Sequence, residues 1–196
     1  MEAAAIFLPL LGAIIAGFFG RQIGDRASQI VTCLGVGSAA VLSIPLFFDV
    51  AVNGNERVIT IMNWINSGTF ETAWALRFDT LSAVMVMTVT CVSSLIHVYS
   101  IGYMSHDDSK PRFMAYLSLF TFAMLMLVTA DNLIQLFFGW EGVGVVSYLL
   151  IGFWFKKPTA NAAAIKAFVV NRVGDFGFLL GIFGIYMLFD SVSFDT

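Results

Sequence analysis

Long apolar runs separated by short polar connections dominate the chain, and six of them, at residues 3–20, 27–48, 80–103, 113–130, 132–154 and 162–189, meet or approach membrane-spanning length. A helix needs about 20 predominantly apolar residues to cross the hydrocarbon core. The runs are too long and too uniformly apolar for the alternating pattern of barrel strands, so helices are the expected form. Pro45 is expected to kink or thin the end of the second span. Pro111 and Pro158 fall in connections, where a missing N–H costs nothing. Only residues 53–78 make a long connection. Within it, residues 57–65 and 70–78 are rich in β-branched and aromatic side chains and flank Asn66-Ser67-Gly68-Thr69, which predicts a short hairpin, with an irregular amphipathic loop as the alternative. A two-stranded hairpin is marginal alone, so it should lean on the rest of the chain or on a neighbour. The pattern gives an all-α polytopic membrane protein in one module, residues 1–196, with one extramembrane hairpin.

Composition agrees: 59% of residues are apolar, 15% aromatic and 12% charged, and the mean hydropathy is +0.87. A soluble domain carries about 25% charged residues. The net charge of -3 offers no basic surface for nucleic acid. Cys33 and Cys91 lie in apolar runs without a CxxC or a His/Cys cluster, which points away from zinc, iron–sulfur clusters and a structural disulfide. The first run lacks a basic segment before it and a small-residue cleavage site after it, so it is expected to be a retained span. Arg21, Arg26, Lys110, Arg112, Lys156 and Lys157 fall on one side of the predicted membrane, against Arg57 and Arg77 on the other. Six against two places the first side inside and the N-terminus outside.

Against this background four ionisable residues stand out. Glu141 lies in the middle of the fifth run, and Lys166, Arg172 and Asp175 lie in the sixth. A charge at the middle of a membrane helix costs about 2.5–3.5 kcal/mol on insertion scales, so such residues are functional candidates by default. At 1.5 Å per residue, Glu141 and Asp175 both come out roughly 20 Å from the inner surface, Arg172 about 15 Å and Lys166 about 6 Å. Arg172 and Asp175 are i,i+3 neighbours and can pair. Two positive and two negative charges would make a self-balancing set. Arg172 keeps its proton and biases its partners, whereas burial disfavours charge on Glu141 and Lys166 and suits them to proton exchange. Lys166 is also shallow enough to snorkel, and Arg172–Asp175 can equally serve as a static helix lock. Gly139, Gly142 and Gly144 around Glu141 permit close helix approach, while Tyr148, at i+7, is either a hydrogen-bonding neighbour or an aromatic packing group. His97 is an auxiliary candidate whose alternative is a packing role. His106 is expected in solvent beside Asp107 and Asp108, and Asp79 is expected to cap the third span.

Three separated segments carry a resemblance: HVYSIGYM at 97–104, GWEGVG at 139–144 and KAFVVNRVGD at 166–175. They resemble the N-terminal portion of the large antiporter-like membrane subunit, NuoL in bacteria, of respiratory complex I, the proton-translocating NADH:quinone oxidoreductase. The resemblance implies a membrane-embedded glutamate at Glu141 and an arginine and aspartate at Arg172 and Asp175. It also implies a pairing lysine on a later, discontinuous helix, past Thr196, so the chain is expected to be incomplete at its C-terminus. The implied protein is a translocase subunit in a bacterial inner or mitochondrial inner membrane, with protons, lipid and other complex I membrane subunits as partners. No cofactor is expected on this chain; NADH, FMN, iron–sulfur clusters and quinone are expected on partner subunits. The large subunit of multi-subunit sodium/proton antiporters is similar and is the alternative, with a non-transporting membrane scaffold as a third.

Overall fold

The computed structural model describes residues 1–68 and 70–195. Five helices and one hairpin follow in the order α1 (Glu2–Phe47), a π-helical turn (Phe48–Val52), β1 (Arg57–Ser67), β2 (Phe70–Phe78), α2 (Thr80–Tyr103), α3 (Lys110–Val128), α4 (Leu133–Ile151) and α5 (Pro158–Phe189). Each helix is long and apolar enough to span a membrane. The six expected spans become five helices because α1 holds the first two. It is broken only at Gly24, whose φ of 82° and ψ of 172° leave helical geometry. Positive φ is nearly free for glycine, so the chain can fold back there into two limbs. The limbs lie against each other: a Cβ on Gly35 would stand 3.0 Å from the Leu8 carbonyl oxygen, and one on Gly12 3.4 Å from Thr32 Cα.

The prolines need one correction. Pro111 and Pro158 do not lie in connections but in the first turns of α3 and α5, where backbone N–H groups have no intrahelical partner to lose. Pro45 sits inside α1, which continues to Phe47 and then loosens into the π-helical turn, the expected thinning of that end. Asp79 caps α2 as expected: its carboxylate accepts the Ser82 N–H at 2.7 Å, and its own N–H donates to Ser82 Oγ at 2.8 Å.

The hairpin forms with β1 and β2 antiparallel, Arg57 opposite Phe78 and Ser67 opposite Phe70. Gly68 in its turn has φ 62°, and Thr69 of the expected turn lies outside the described residues. The support that a lone hairpin requires comes from α4. The Gln135 side chain, wholly buried, accepts the Ala75 N–H at 3.0 Å and donates to the Ala75 carbonyl at 2.7 Å, completing the β2 edge as a strand would. Asn132 donates to the Ala73 carbonyl, and the Arg77 N–H to the Thr129 carbonyl. Leu76 and Phe78 thereby enter a core shared with Ile6, Leu46, Val50, Val86, Leu125 and Met126. Helix α3 packs against α1, α2 and α4, whereas α5 packs chiefly on α4. Val169, Val173, Phe176, Leu180 and Met187 of α5 are exposed.

Candidate ion-pair site between α4 and α5

Helix α4 starts at Asn132, whose side chain accepts the Gln135 N–H at 2.8 Å, and runs unbroken through the three glycines around Glu141. Gly139 lets it press on α3, since a Cβ there would lie 2.6 Å from Leu127 Cα. Close approach, rather than a break, is what that glycine provides. On the other side α4 meets α5 in antiparallel register through Phe137 and Trp140 against Phe178, at ring separations of 5.7 and 5.9 Å, and Tyr148 against Phe168 at 5.5 Å. Between these ring contacts the charges meet.

Arg172 Nη1 donates to Glu141 Oε2 across the two helices. Its Nε lies 3.1 Å from Asp175 Oδ2 on the next turn of α5, and the guanidinium stacks 4.7 Å from the Phe168 ring centre. Gly144 clears the space, as a Cβ there would stand 3.3 Å from an Arg172 terminal nitrogen. Asp175 is 5% exposed. Glu141 also borders a groove of about 370 Å³ between α3 and α4, walled by Phe122, Ala123, Met126, Phe138 and Val145. The arrangement can hold a carboxylate ionised against a guanidinium, or release it into that groove when a proton neutralises it.

The structure brings Glu141, Arg172 and Asp175 together and leaves Lys166 apart. Lys166 is exposed and has no hydrogen bond or ion pair among the described residues. The set is therefore not self-balancing: two carboxylates face one guanidinium, a net of one negative charge when all are ionised. Tyr148 takes the packing role, against Phe168. His97 is wholly buried but belongs to another cluster, with Nε2 2.9 Å from Ser118 Oγ and Nδ1 2.8 Å from the Ser93 carbonyl oxygen. Thr90 donates to Ser43 nearby at 2.9 Å, so hydroxyls and the imidazole tie α1, α2 and α3 together.

Two residues passed over in the sequence matter here. Gln135 docks the hairpin, and Trp140 donates its indole Nε1–H to Asp175 Oδ1 at 2.7 Å. A polar residue at i+3 from an N-cap could have signalled the first; adjacency to Glu141 was the one available signal for the second. At the membrane ends, Arg77 pairs with Asp131 at 3.0 Å and also with Asp195. Burial pushes the Asp131 carboxyl above its usual range, with the Arg77 charge opposing. At the opposite end Lys110 pairs with Asp25 at 3.0 Å, and the Trp154 indole holds the Asp107 carboxyl below its usual range. Among the described residues no group of three His, Cys, Asp or Glu is placed to hold a metal.

Comparison with known proteins gives two family matches, described as "NADH-Ubiquinone oxidoreductase (complex I), chain 5 N-terminus" over residues 64–114 and "NADH:quinone oxidoreductase/Mrp antiporter, TM" over residues 130–196. The chain is 54% identical over 196 residues to NADH-ubiquinone oxidoreductase chain 5 of Triticum aestivum, covering all of this chain and 29% of the relative. It is 54% identical over 203 residues to NADH-quinone oxidoreductase subunit L of Rhodobacter capsulatus, covering 28% of that protein. The chain thus spans under a third of the length of these relatives. Among solved structures, the Mrp complex of Dietzia sp. DQ12-45-1b superposes with a TM-score of 0.82 at 22% identity, over all of this chain and 20% of that one, and so shares the fold. The archaeal membrane-bound sulfane sulfur reductase does likewise, at 0.83 and 19% identity over 98% of this chain and 38% of its own. The two family matches, over residues 64–114 and 130–196, and these identities together assign the chain to the family of complex I chain 5 and subunit L.

Proposed function

We propose that this chain forms part of a proton path in the membrane arm of an NADH:quinone oxidoreductase, coupled to electron transfer carried out elsewhere in the complex. The observation that carries the reading is the Glu141–Arg172–Asp175 cluster, one positive charge short of balance, midway along α4 and α5. One guanidinium facing two carboxylates leaves room for one proton to balance the cluster. Protonation of Glu141 weakens its hold on Arg172, which then turns its full charge toward Asp175. Loss of that proton restores the pair. Glu141 thus has a paired and an unpaired state, and a cationic side chain brought near it, such as a lysine of another helix, would be biased by which state is occupied. Lys166, shallower and exposed, suits an entry position near the surface rather than the cluster itself.

No redox cofactor is assigned to this chain; NADH, FMN, iron–sulfur clusters and quinone belong in this reading to partner subunits. The N-terminus lies outside, because the two ends carry unequal basic charge. The membrane is the bacterial or mitochondrial inner membrane, and the partners are the other membrane subunits of the complex.

The test is Glu141→Gln in the assembled complex, with protons translocated per electron pair as the readout. The expected result is a lowered ratio with NADH oxidation continuing; an unchanged ratio removes Glu141 from the path. The second reading, a subunit of a sodium/proton antiporter, is favoured by the likeness to the Mrp complex. It requires ion movement driven by a sodium gradient with no electron donor present.

A further inference from the structure

We infer that Trp140 is a positioning residue for the proton path: its indole N–H fixes the Asp175 carboxylate, and through it the reach of Arg172 to Glu141. The inference rests on the proton-path reading above. Asp175 is almost wholly buried, and a buried carboxylate needs donors to replace water. Among the described residues it accepts a single hydrogen bond, from Trp140 Nε1 at 2.7 Å. The nearby Arg172 Nε, 3.1 Å from Oδ2, is not aligned as a donor, and both atoms lack a hydrogen-bond partner. The guanidinium therefore supplies charge to Asp175, while the indole supplies direction.

The four groups close into a ring. Trp140 and Glu141 are consecutive on α4, and Arg172 and Asp175 share a face of α5. Trp140 holds Asp175, Asp175 attracts Arg172, and Arg172 donates to Glu141. With Asp175 tethered, Arg172 meets Glu141 through Nη1 and Asp175 through Nε and is poised to shift toward either one. Untethered, Asp175 is free to rotate toward Arg172 and take a second, aligned hydrogen bond from it, drawing it away from Glu141. The packing of the indole is separable from its N–H. The ring lies edge-on to Phe178 and lines a cavity whose apolar wall includes Leu81, Met85, Leu136 and Phe194, with Arg77 and Asp79 also bordering it; a phenyl ring at this position largely keeps the apolar contacts.

The experiment is Trp140→Phe in the assembled complex, measured two ways. Carboxylate infrared bands of Asp175 and Glu141 are assigned by their loss in Asp175→Asn and Glu141→Gln, and the proton-to-electron ratio is measured alongside. The expected result is that both bands move in Trp140→Phe, the ratio falls toward that of Glu141→Gln, and Trp140→His, which restores an N–H donor, recovers part of both. Unmoved bands overturn the proposal whatever the ratio. So do moved bands with a wild-type ratio when Glu141→Gln lowers it. A wild-type ratio in Glu141→Gln itself would instead overturn the proton-path reading, and the bands would still decide whether Trp140 positions Asp175.

Discussion

A guanidinium shared by two carboxylates inside a membrane is costly to break and cheap to rearrange. Removing one partner of a buried ion pair costs about 3–5 kcal/mol, because the survivor keeps its charge without compensation. Moving a proton onto one carboxylate leaves no such orphan. In the proton-path reading this lets Glu141, Arg172 and Asp175 serve turnover as well as packing, and they could be found from sequence because a charge in an otherwise apolar run is conspicuous. Lys166 was equally conspicuous and yet stands apart. Depth along the helix alone does not separate them, but azimuth does. At about 100° per residue Lys166 is about 120° around α5 from Arg172, whereas Asp175 is only about 60° away. Trp140 was hidden for the opposite reason. Its indole reads as one more aromatic ring in an apolar run, and its single donor matters only once a partner is placed opposite.

At the scale of elements, the spans were legible because each must be long and apolar, and the hairpin because two stretches rich in β-branched and aromatic residues flank a turn. The ends were less so. Proline at the start of α3 and α5 is compatible with either a connection or a first turn, and the pattern alone does not separate them. What fastens the hairpin was not legible at all, since the contact joins residues 60 positions apart. Gln135→Leu tests that fastening. It removes both hydrogen bonds to Ala75, which is buried, and leaving a buried backbone group unpaired costs about 1–3 kcal/mol. Amide exchange across residues 70–78 is expected to quicken by roughly tenfold to a hundredfold. Exchange at the wild-type rate would mean that Gln135 does not hold the edge.

Over the whole molecule, charge is sorted to two ends and one interior level. Glu2, Asp49 and Arg57 pair at one end, as Lys110 and Asp25 do at the other. Single cysteines at Asn55 and Lys157 should accordingly label from opposite sides, Asn55 from outside; equal labelling from both would refute the orientation. Between the ends the bundle is asymmetric, with α3 well covered and α5 open along Val169, Val173 and Phe176, so the ion-pair site lies at the less covered side of the protein. The most direct measurement is the infrared difference spectrum of the assembled complex between rest and turnover, recorded for wild type and Glu141→Gln. A carboxyl band that appears on turnover, shifts in heavy water and vanishes in Glu141→Gln is the predicted result. Identical difference spectra for the two proteins would show that Glu141 never exchanges its proton, and would contradict the account.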